Sequence, residues 1–216
     1  MEQDKKFFYI FIDIKGALYT ADWVKFIQAA NLCQDDQTYA EELDKQLHRH
    51  AEWKEYYTKG LYTRSKHIRK ICPYNVMSLN DLIFDLQFDY NVNLVITTPK
   101  WKEYFDLKTL PALVRNGLNF KDIIIDKTPN INDDRAAEIS KYLTQVGNPS
   151  NYLIIDSDEA IKRQFGEDKV MIVDKYHTGL NKAVVDQFLD DLDEAEYVNQ
   201  QGNDLILNDN LVNAFN

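Results

Sequence analysis

The sequence predicts an α/β fold, a largely parallel, Rossmann-like sheet flanked by helices, and two observations carry that expectation. The run Phe7-Phe8-Tyr9-Ile10-Phe11-Ile12 is apolar without a break, passes directly into Asp13, and meets a glycine, Gly16, three residues later. A continuous apolar run bounded by a turn is the pattern of a strand buried on both faces, as in a parallel sheet. Further along, short apolar runs alternate with segments of helical periodicity, the pattern of βαβ units.

Each element follows in chain order. From about residue 19 to residue 90 the reading is helical: Trp23, Phe26, Ile27 and Ala30 recur at helical spacing, then Leu43 and Leu47, then Leu79, Leu82, Ile83 and Leu86. Residues 91–97 form a second buried strand ending in hydroxyl residues. Residues 107–118 read as a helix stopped near Asn116-Gly117. Residues 121–126 are a third strand, and Asp133 or Asp134 caps a helix running through Ala136, Ile139 and Leu143. The Gly147-Asn148-Pro149 loop precedes a fourth strand at 152–156. A fifth strand at 170–173 and a helix over about 181–192 complete the pattern. With no internal repeat and no Ser/Gly/Pro linker, the economical organisation is one α/β core, 1–18 with 81–195. It carries a helical insertion at 19–80 and a polar, acidic tail at 196–216.

Composition narrows the function classes. The 216 residues are 44% hydrophobic, enough for a substantial core, and carry a formal charge of −10. That charge argues against broad DNA binding or adhesion to an anionic membrane by the whole surface, though a local basic groove is compatible with it. Cys33 and Cys72 lack the paired spacing of a disulfide framework or zinc site and read as reduced thiols. No run reaches membrane length and Met1 to Lys6 lacks signal-peptide character, so the expectation is a cytoplasmic protein with no membrane partner.

The strand ends carry the chemistry. Asp13, Thr97-Thr98, Asp126-Lys127 and Asp156-Ser157-Asp158 each close a strand, and a parallel sheet brings all its carboxyl ends to one rim, where such folds bind ligands. Carboxylates, hydroxyls and a cation converging there supply hard oxygen ligands for Mg²⁺ and a carboxylate able to attack a phosphoryl group. Any one of these acids is also explained by the preference of Asp for turns; the ordered set is harder to explain that way.

In this order the motifs resemble the haloacid dehalogenase (HAD) superfamily, which has a strand ending in Asp-x-Asp, a second ending in Thr or Ser, a basic residue opening a later helix, and a strand ending in paired acids. More closely, the chain resembles the HAD domain of the Swiss Army Knife RNA-repair proteins. The matching segments are Gly16-Ala17-Leu18, Thr97-Thr98-Pro99-Lys100-Trp101-Lys102, Thr128-Pro129, Arg135-Ala136-Ala137-Glu138-Ile139, Asp156-Ser157-Asp158 and Thr178-Gly179-Leu180. The likeness spans about residues 7–18 and 80–193. It implies a HAD-like core with a cap after the first strand, and Mg²⁺-dependent phosphohydrolase chemistry on a phosphorylated small molecule, nucleotide or RNA end. By this resemblance Asp13 is the nucleophile and, with Asp156 and Asp158, a metal ligand. Thr97 matches the strand-end hydroxyl and holds the phosphate, Thr98 beside it is a substrate-binding residue, and either Lys127 or Arg135 neutralises the phosphate.

Lys15 departs from that pattern, because it stands where the family places its second acid. Its backbone carbonyl is retained as a metal ligand, but an ammonium is a poor general base near neutral pH, and general acid–base help is worth roughly 10²–10⁴-fold. Three alternatives therefore stand. The chain is a phosphohydrolase impaired or altered by Lys15, Lys15 is a resident cation in place of the metal, or the protein is an inactive binding module that keeps the pocket. In the insertion, the basic residues between Lys45 and Lys70, Arg64 and Lys66 among them, alternate with Trp53, Tyr56, Tyr57 and Tyr62. That composition suits a phosphate-bearing substrate by charge and stacking, and equally a solvated helix face over an aromatic core.

Overall fold

The computed structural model describes residues 5–61, 70–98, 102, 105–119, 121–132, 134–192 and 194. Its centre is β1 (Lys6–Ile12), whose last five residues are buried. Four more strands complete a parallel sheet: β2 (Tyr90–Ile96), β3 (Ile124–Lys127), β4 (Tyr152–Asp156) and β5 (Val170–Ile172), in the order β3-β2-β1-β4-β5. Ile12 pairs with Ile96 on one side and Ile155 on the other, so three strands end at the same level.

The alternation of side chains along β1 builds a core on each face of the sheet. Phe8, Ile10 and Ile12 pack with Val76, Leu79, Leu82, Ile83 and Leu86 of the helix Pro73–Leu86, with Leu113 of the helix Leu110–Arg115, and with Val185 of the helix at 182–192. Tyr9 and Phe11 point the other way, against Ile139, Tyr142 and Leu143 of the helix Arg135–Gln145 and Ile161 of the helix Glu159–Phe165. Each such large apolar side chain contributes about 1.5–3 kcal/mol on full burial. A third, aromatic cluster, including Trp23, Phe26, Leu43, Trp53 and Tyr56, joins the helices Ala21–Leu32, Gln37–Arg49 and Trp53–Thr58. Within the expected 19–80 insertion, this cluster reaches Cys72, while Ile71, Val76 and Leu79 belong to the core against the sheet. In chain order the helices are α1 (Ala21–Leu32), α2 (Gln37–Arg49), α3 (Trp53–Thr58), α4 (Pro73–Leu86), α5 (Leu110–Arg115), α6 (Arg135–Gln145), α7 (Glu159–Phe165) and α8 (182–192).

Two elements differ from their sequence-based bounds. The third strand starts at Ile124 rather than 121, because Asp122 takes a left-handed φ of 62° that an extended strand does not admit. The helix expected over 107–118 is divided into a π-type turn, Phe105–Thr109, and α5. Pro111 lacks a backbone N–H and cannot continue a regular helix from 107.

After β5 the chain turns back toward β1. Leu180 N–H donates to Ala17 O at 2.8 Å, and the Asn75 side-chain amide donates to both Ala17 O and Thr178 O at 2.8 Å. Gly179 sits in this joint with φ 61°, and a Cβ there would meet Asn75 Nδ2 at 2.2 Å and Ala17 O at 2.4 Å. Among the described residues no helix is long and apolar enough to cross a membrane.

Candidate active site at the carboxyl ends of the strands

Asp13 follows the last residue of β1, and its backbone N–H donates to Ile155 O at 2.9 Å, which fixes it beside β4. Its side chain is buried and held at both oxygens. Oδ1 accepts the Thr98 hydroxyl at 2.5 Å, and Oδ2 accepts Arg135 Nη1 at 2.5 Å. Thr98 Oγ1 in turn accepts the Ile14 N–H at 2.8 Å, so the hydroxyl proton is directed to Asp13. Arg135 opens α6, where Asp134 caps the helix by accepting from Ala137 N–H at 3.0 Å.

The same guanidinium reaches the acids after β4. Nη1 lies 3.4 Å from Asp156 Oδ2, and Nη2 lies 3.5 Å from Asp158 Oδ2. Asp156 Oδ1 accepts the N–H groups of Ser157 at 2.7 Å and Asp158 at 3.0 Å, whereas its buried Oδ2 has no hydrogen-bond partner among the described residues. Asp158 uses Oδ1 to cap α7 through Ala160 N–H at 2.9 Å. Three carboxylates thus surround one guanidinium.

The turn after Asp13 shapes the rim. Lys15 is extended (φ −78°, ψ 103°) and Gly16 takes φ 115°. A Cβ on Gly16 would meet Ser157 Oγ at 2.8 Å and Lys175 Cβ at 3.2 Å, so only glycine brings this turn so close to β4 and to the loop after β5.

Burial pushes the Asp13 carboxyl above the usual range, against the opposing pull of Arg135 and Thr98. Asp156 is pushed up to about 6 by burial and then by the Asp13 charge, with Arg135 opposing. Burial disfavours charge on Arg135, but Asp13, Asp156 and Asp158 outweigh that effect and hold its pKa above the ordinary arginine value.

The structure therefore brings Asp13, Thr98, Arg135, Asp156 and Asp158 together. The Thr97 hydroxyl is buried and has no partner among the described residues. Lys127 lies elsewhere, with Nζ 5.5 Å from the Phe105 ring centre and 3.5 Å from Lys102 O. Lys15 is exposed and forms no ion pair among the described residues; the cation on Asp13 and Asp156 is Arg135. Arg64 and Lys66 lie outside the described residues.

The sequence places Lys102, Thr128-Pro129 and Glu138 in segments that carry the family resemblance but gives them no common role, whereas the structure gathers them into a buried cluster next to this site. Lys102 Nζ pairs with Glu138 Oε2 and donates to Thr128 Oγ1 at 3.2 Å and Pro129 O at 3.3 Å. The available signal was spacing: Lys102 stands four residues after Thr98, and Glu138 three after Arg135.

A family model for the HAD domain in Swiss Army Knife RNA repair proteins matches residues 9–185. The chain belongs to that family. No curated protein matches it. In this HAD domain the matched span begins inside β1 and ends in α8, so the four strands β2 to β5, the second half of β1 and every residue of the Asp13 cluster fall within it.

Proposed function

We propose that this HAD domain is a phosphohydrolase that transfers a phosphoryl group from a phosphorylated small molecule, nucleotide or RNA end to Asp13, and then to water. The observation that carries this reading is the Asp13 carboxylate, buried at the rim of a parallel sheet and gripped by Thr98 on one oxygen and Arg135 on the other. Thr98 keeps Oδ1 oriented. Transfer of the Arg135 guanidinium from Oδ2 to the phosphoryl oxygens frees Oδ2 to attack phosphorus and places positive charge where negative charge develops. The bond to the leaving oxygen breaks as the Asp13–phosphorus bond forms, and water then hydrolyses the acyl phosphate. No carboxyl stands at the second acid position; Lys15 does, which favours esters whose leaving group departs without strong acid assistance.

The donors are of the chemical type Mg²⁺ takes: the carboxylates of Asp13, Asp158 and Asp156, whose buried Oδ2 lacks a hydrogen-bond partner among the described residues, together with the Lys15 carbonyl, are hard oxygen ligands. Among the described residues no group of three or more His, Cys, Asp or Glu is arranged as a metal cage, and Arg135 stands between the acids. Mg²⁺, when bound, supplies charge neutralisation to the phosphoryl group. Both cysteines are free thiols, which suits a reducing compartment such as the cytoplasm.

A non-catalytic binding module is the second reading, favoured by Lys15 and by a cation already resident on the acids. Phosphate release from p-nitrophenyl phosphate and from 5′- and 3′-phosphorylated oligoribonucleotides, with and without Mg²⁺, decides between the two. Hydrolysis that Asp13→Asn abolishes supports the enzyme. Binding of inorganic phosphate without release from any ester supports the module.

A further inference from the structure

The two groups that grip Asp13 arrive on separate segments, Thr98 after β2 and Arg135 at the start of α6, and these segments are joined beneath the site by one buried ion pair. Lys102 N–H donates to Thr98 O at 3.1 Å, so the backbone holds Lys102 next to Thr98. Glu138 lies one helical turn beyond Arg135 on α6. Their side chains are 5% and 0% exposed and meet directly. The pair also gathers the loop between them. Glu138 Oε2 accepts the Thr128 hydroxyl at 3.2 Å, Glu138 Oε1 accepts Ile131 N–H at 3.0 Å, and Lys102 donates to Thr128 Oγ1 and Pro129 O. Among the described residues the hydrogen bonds of both charged groups end on the connection between β3 and α6 or on each other.

We infer that Lys102 and Glu138 are positioning residues: a buried strut that sets the distance between Thr98 and Arg135, and so aims the Arg135 guanidinium at Asp13. A pair so fully withdrawn from water is costly to bury, and its replacement by apolar groups is often neutral or stabilising. Stability alone is therefore a weak reason for it, whereas a fixed separation between two donors on one carboxylate is a geometric task that a directional, multiply bonded pair performs. Apolar packing, being non-directional, does not set donor geometry to the same tolerance. The inference rests on reading Asp13 and Arg135 as the reacting pair.

The test has one readout that needs no activity. In ¹⁵N spectra of the full chain, the Arg135 guanidinium, assigned by its loss in Arg135→Lys, should show hindered rotation in the wild type. In folded Glu138→Gln it should rotate freely, and affinity for tungstate, a phosphate mimic, should fall roughly 10-fold or more, the usual effect of removing an outer partner of a site. Lys102→Arg, which keeps the charge and reaches Glu138, should retain the hindered rotation. Should Glu138→Gln fail to fold, the double variant Lys102→Met/Glu138→Leu removes both charges while filling the space. It should fold with a freely rotating Arg135. A folded Glu138→Gln or double variant with Arg135 still immobile and tungstate affinity unchanged overturns the strut. Absence of hydrolysis by the wild type, with Arg135 loosening as described, overturns the phosphohydrolase reading and leaves the strut standing.

Discussion

Asp22 Oδ2 lies 2.9 Å from His177 Nδ1, although 155 residues separate them in sequence. Asp22 belongs to the first turn of α1 and is almost completely buried, and the same oxygen accepts Arg49 Nη1 at 2.5 Å and faces His50 Nε2 at 3.4 Å. Arg49 and His50 end α2, whereas His177 lies in the loop after β5. That loop also accepts the N–H groups of Ala21 and Asp22 at Lys175 O and Tyr176 O, at 3.2 and 2.9 Å. One carboxylate therefore fastens the first two helices after β1 to the loop that packs on Gly16.

Asp22→Asn tests this fastening. Burial raises the carboxyl pKa, but hydrogen bonds from His177, Arg49 and His50 outweigh it and hold Asp22 well below the usual range. The folded state then binds fewer protons than the unfolded state, so this contribution is complete above the unfolded pKa of about 3.9 and is lost as pH falls below it. Urea unfolding should show Asp22→Asn about 1–3 kcal/mol less stable at pH 7, with the gap closing in acid. Parallel curves for the two proteins from pH 7 to pH 3 would refute the assignment.

Asp156→Asn should act in the opposite direction. The Asp156 pKa is raised to about 6 by burial and by Asp13, so the folded state binds more protons than the unfolded state between about pH 4 and pH 6. Stability falls as pH rises through that window. In metal-free buffer the Asn variant should therefore be more stable than wild type at pH 7.5, by about 3 kcal/mol at about 1.4 kcal/mol per unit, and the advantage should vanish near pH 4. An Asn variant equally destabilised at both pH values would contradict this account.

Lys15→Asp separates the two functional readings. It installs a carboxyl at the second acid position on a turn already extended and exposed. If the wild type is limited by the missing acid–base group, hydrolysis of p-nitrophenyl phosphate in Mg²⁺ should rise by up to roughly 10²–10⁴-fold. The gain should disappear in Asp13→Asn/Lys15→Asp. A wild type that turns over well and is slowed by Lys15→Asp would instead make the lysine catalytic.

Gly179→Ala probes the joint between the last loop and the turn after β1. The φ of 61° and approaches of 2.2 Å to Asn75 Nδ2 and 2.4 Å to Ala17 O leave no room for a methyl group. The left-handed conformation alone costs of order 1 kcal/mol or more in a residue with a Cβ, and Asn75 must also release a carbonyl. Thermal unfolding should fall by several degrees. Gly147→Ala, at φ 87° with nothing within 4 Å of the added Cβ, is the control for backbone strain without a clash. Equal losses in the two variants would show that the close contacts at Gly179 add nothing.

How far the sequence led can be judged residue by residue. The apolar run through Phe11 announced a central strand because burial on both faces leaves no polar position, and the Asp13 and Asp156 positions followed from strand ends sharing a rim. For the adjacent hydroxyls the resemblance puts Thr97 at the strand-end position, whereas the hydroxyl that bonds Asp13 is that of Thr98. Thr97 and Thr98 point in different directions from the end of β2, and only the backbone path shows that Thr98 faces Asp13. Lys127 and Arg135 were likewise equivalent as charges in a sequence; Arg135 is the one that opens a helix directed at the rim. Lys102 with Glu138, and Asp22 with His177, are pairings between distant segments, and single-sequence periodicity carries no information about which distant partner a polar residue meets.

The place of β1 in the sheet has a consequence for synthesis. It precedes the other four strands of the sheet in sequence and is the middle strand of the finished sheet, flanked by β2 and β4, with β2, β3 and the helices α1 to α6 made before β4. Until β4 arrives, the nascent chain carries Phe7 to Ile12 with one hydrogen-bonding edge unpaired, a segment prone to associate with other chains. Asp13 also lacks Asp156 during that interval. The Asp13 carboxylate therefore meets Asp156 only after β4 has joined the sheet, and pairings this distant in sequence make that a slow step.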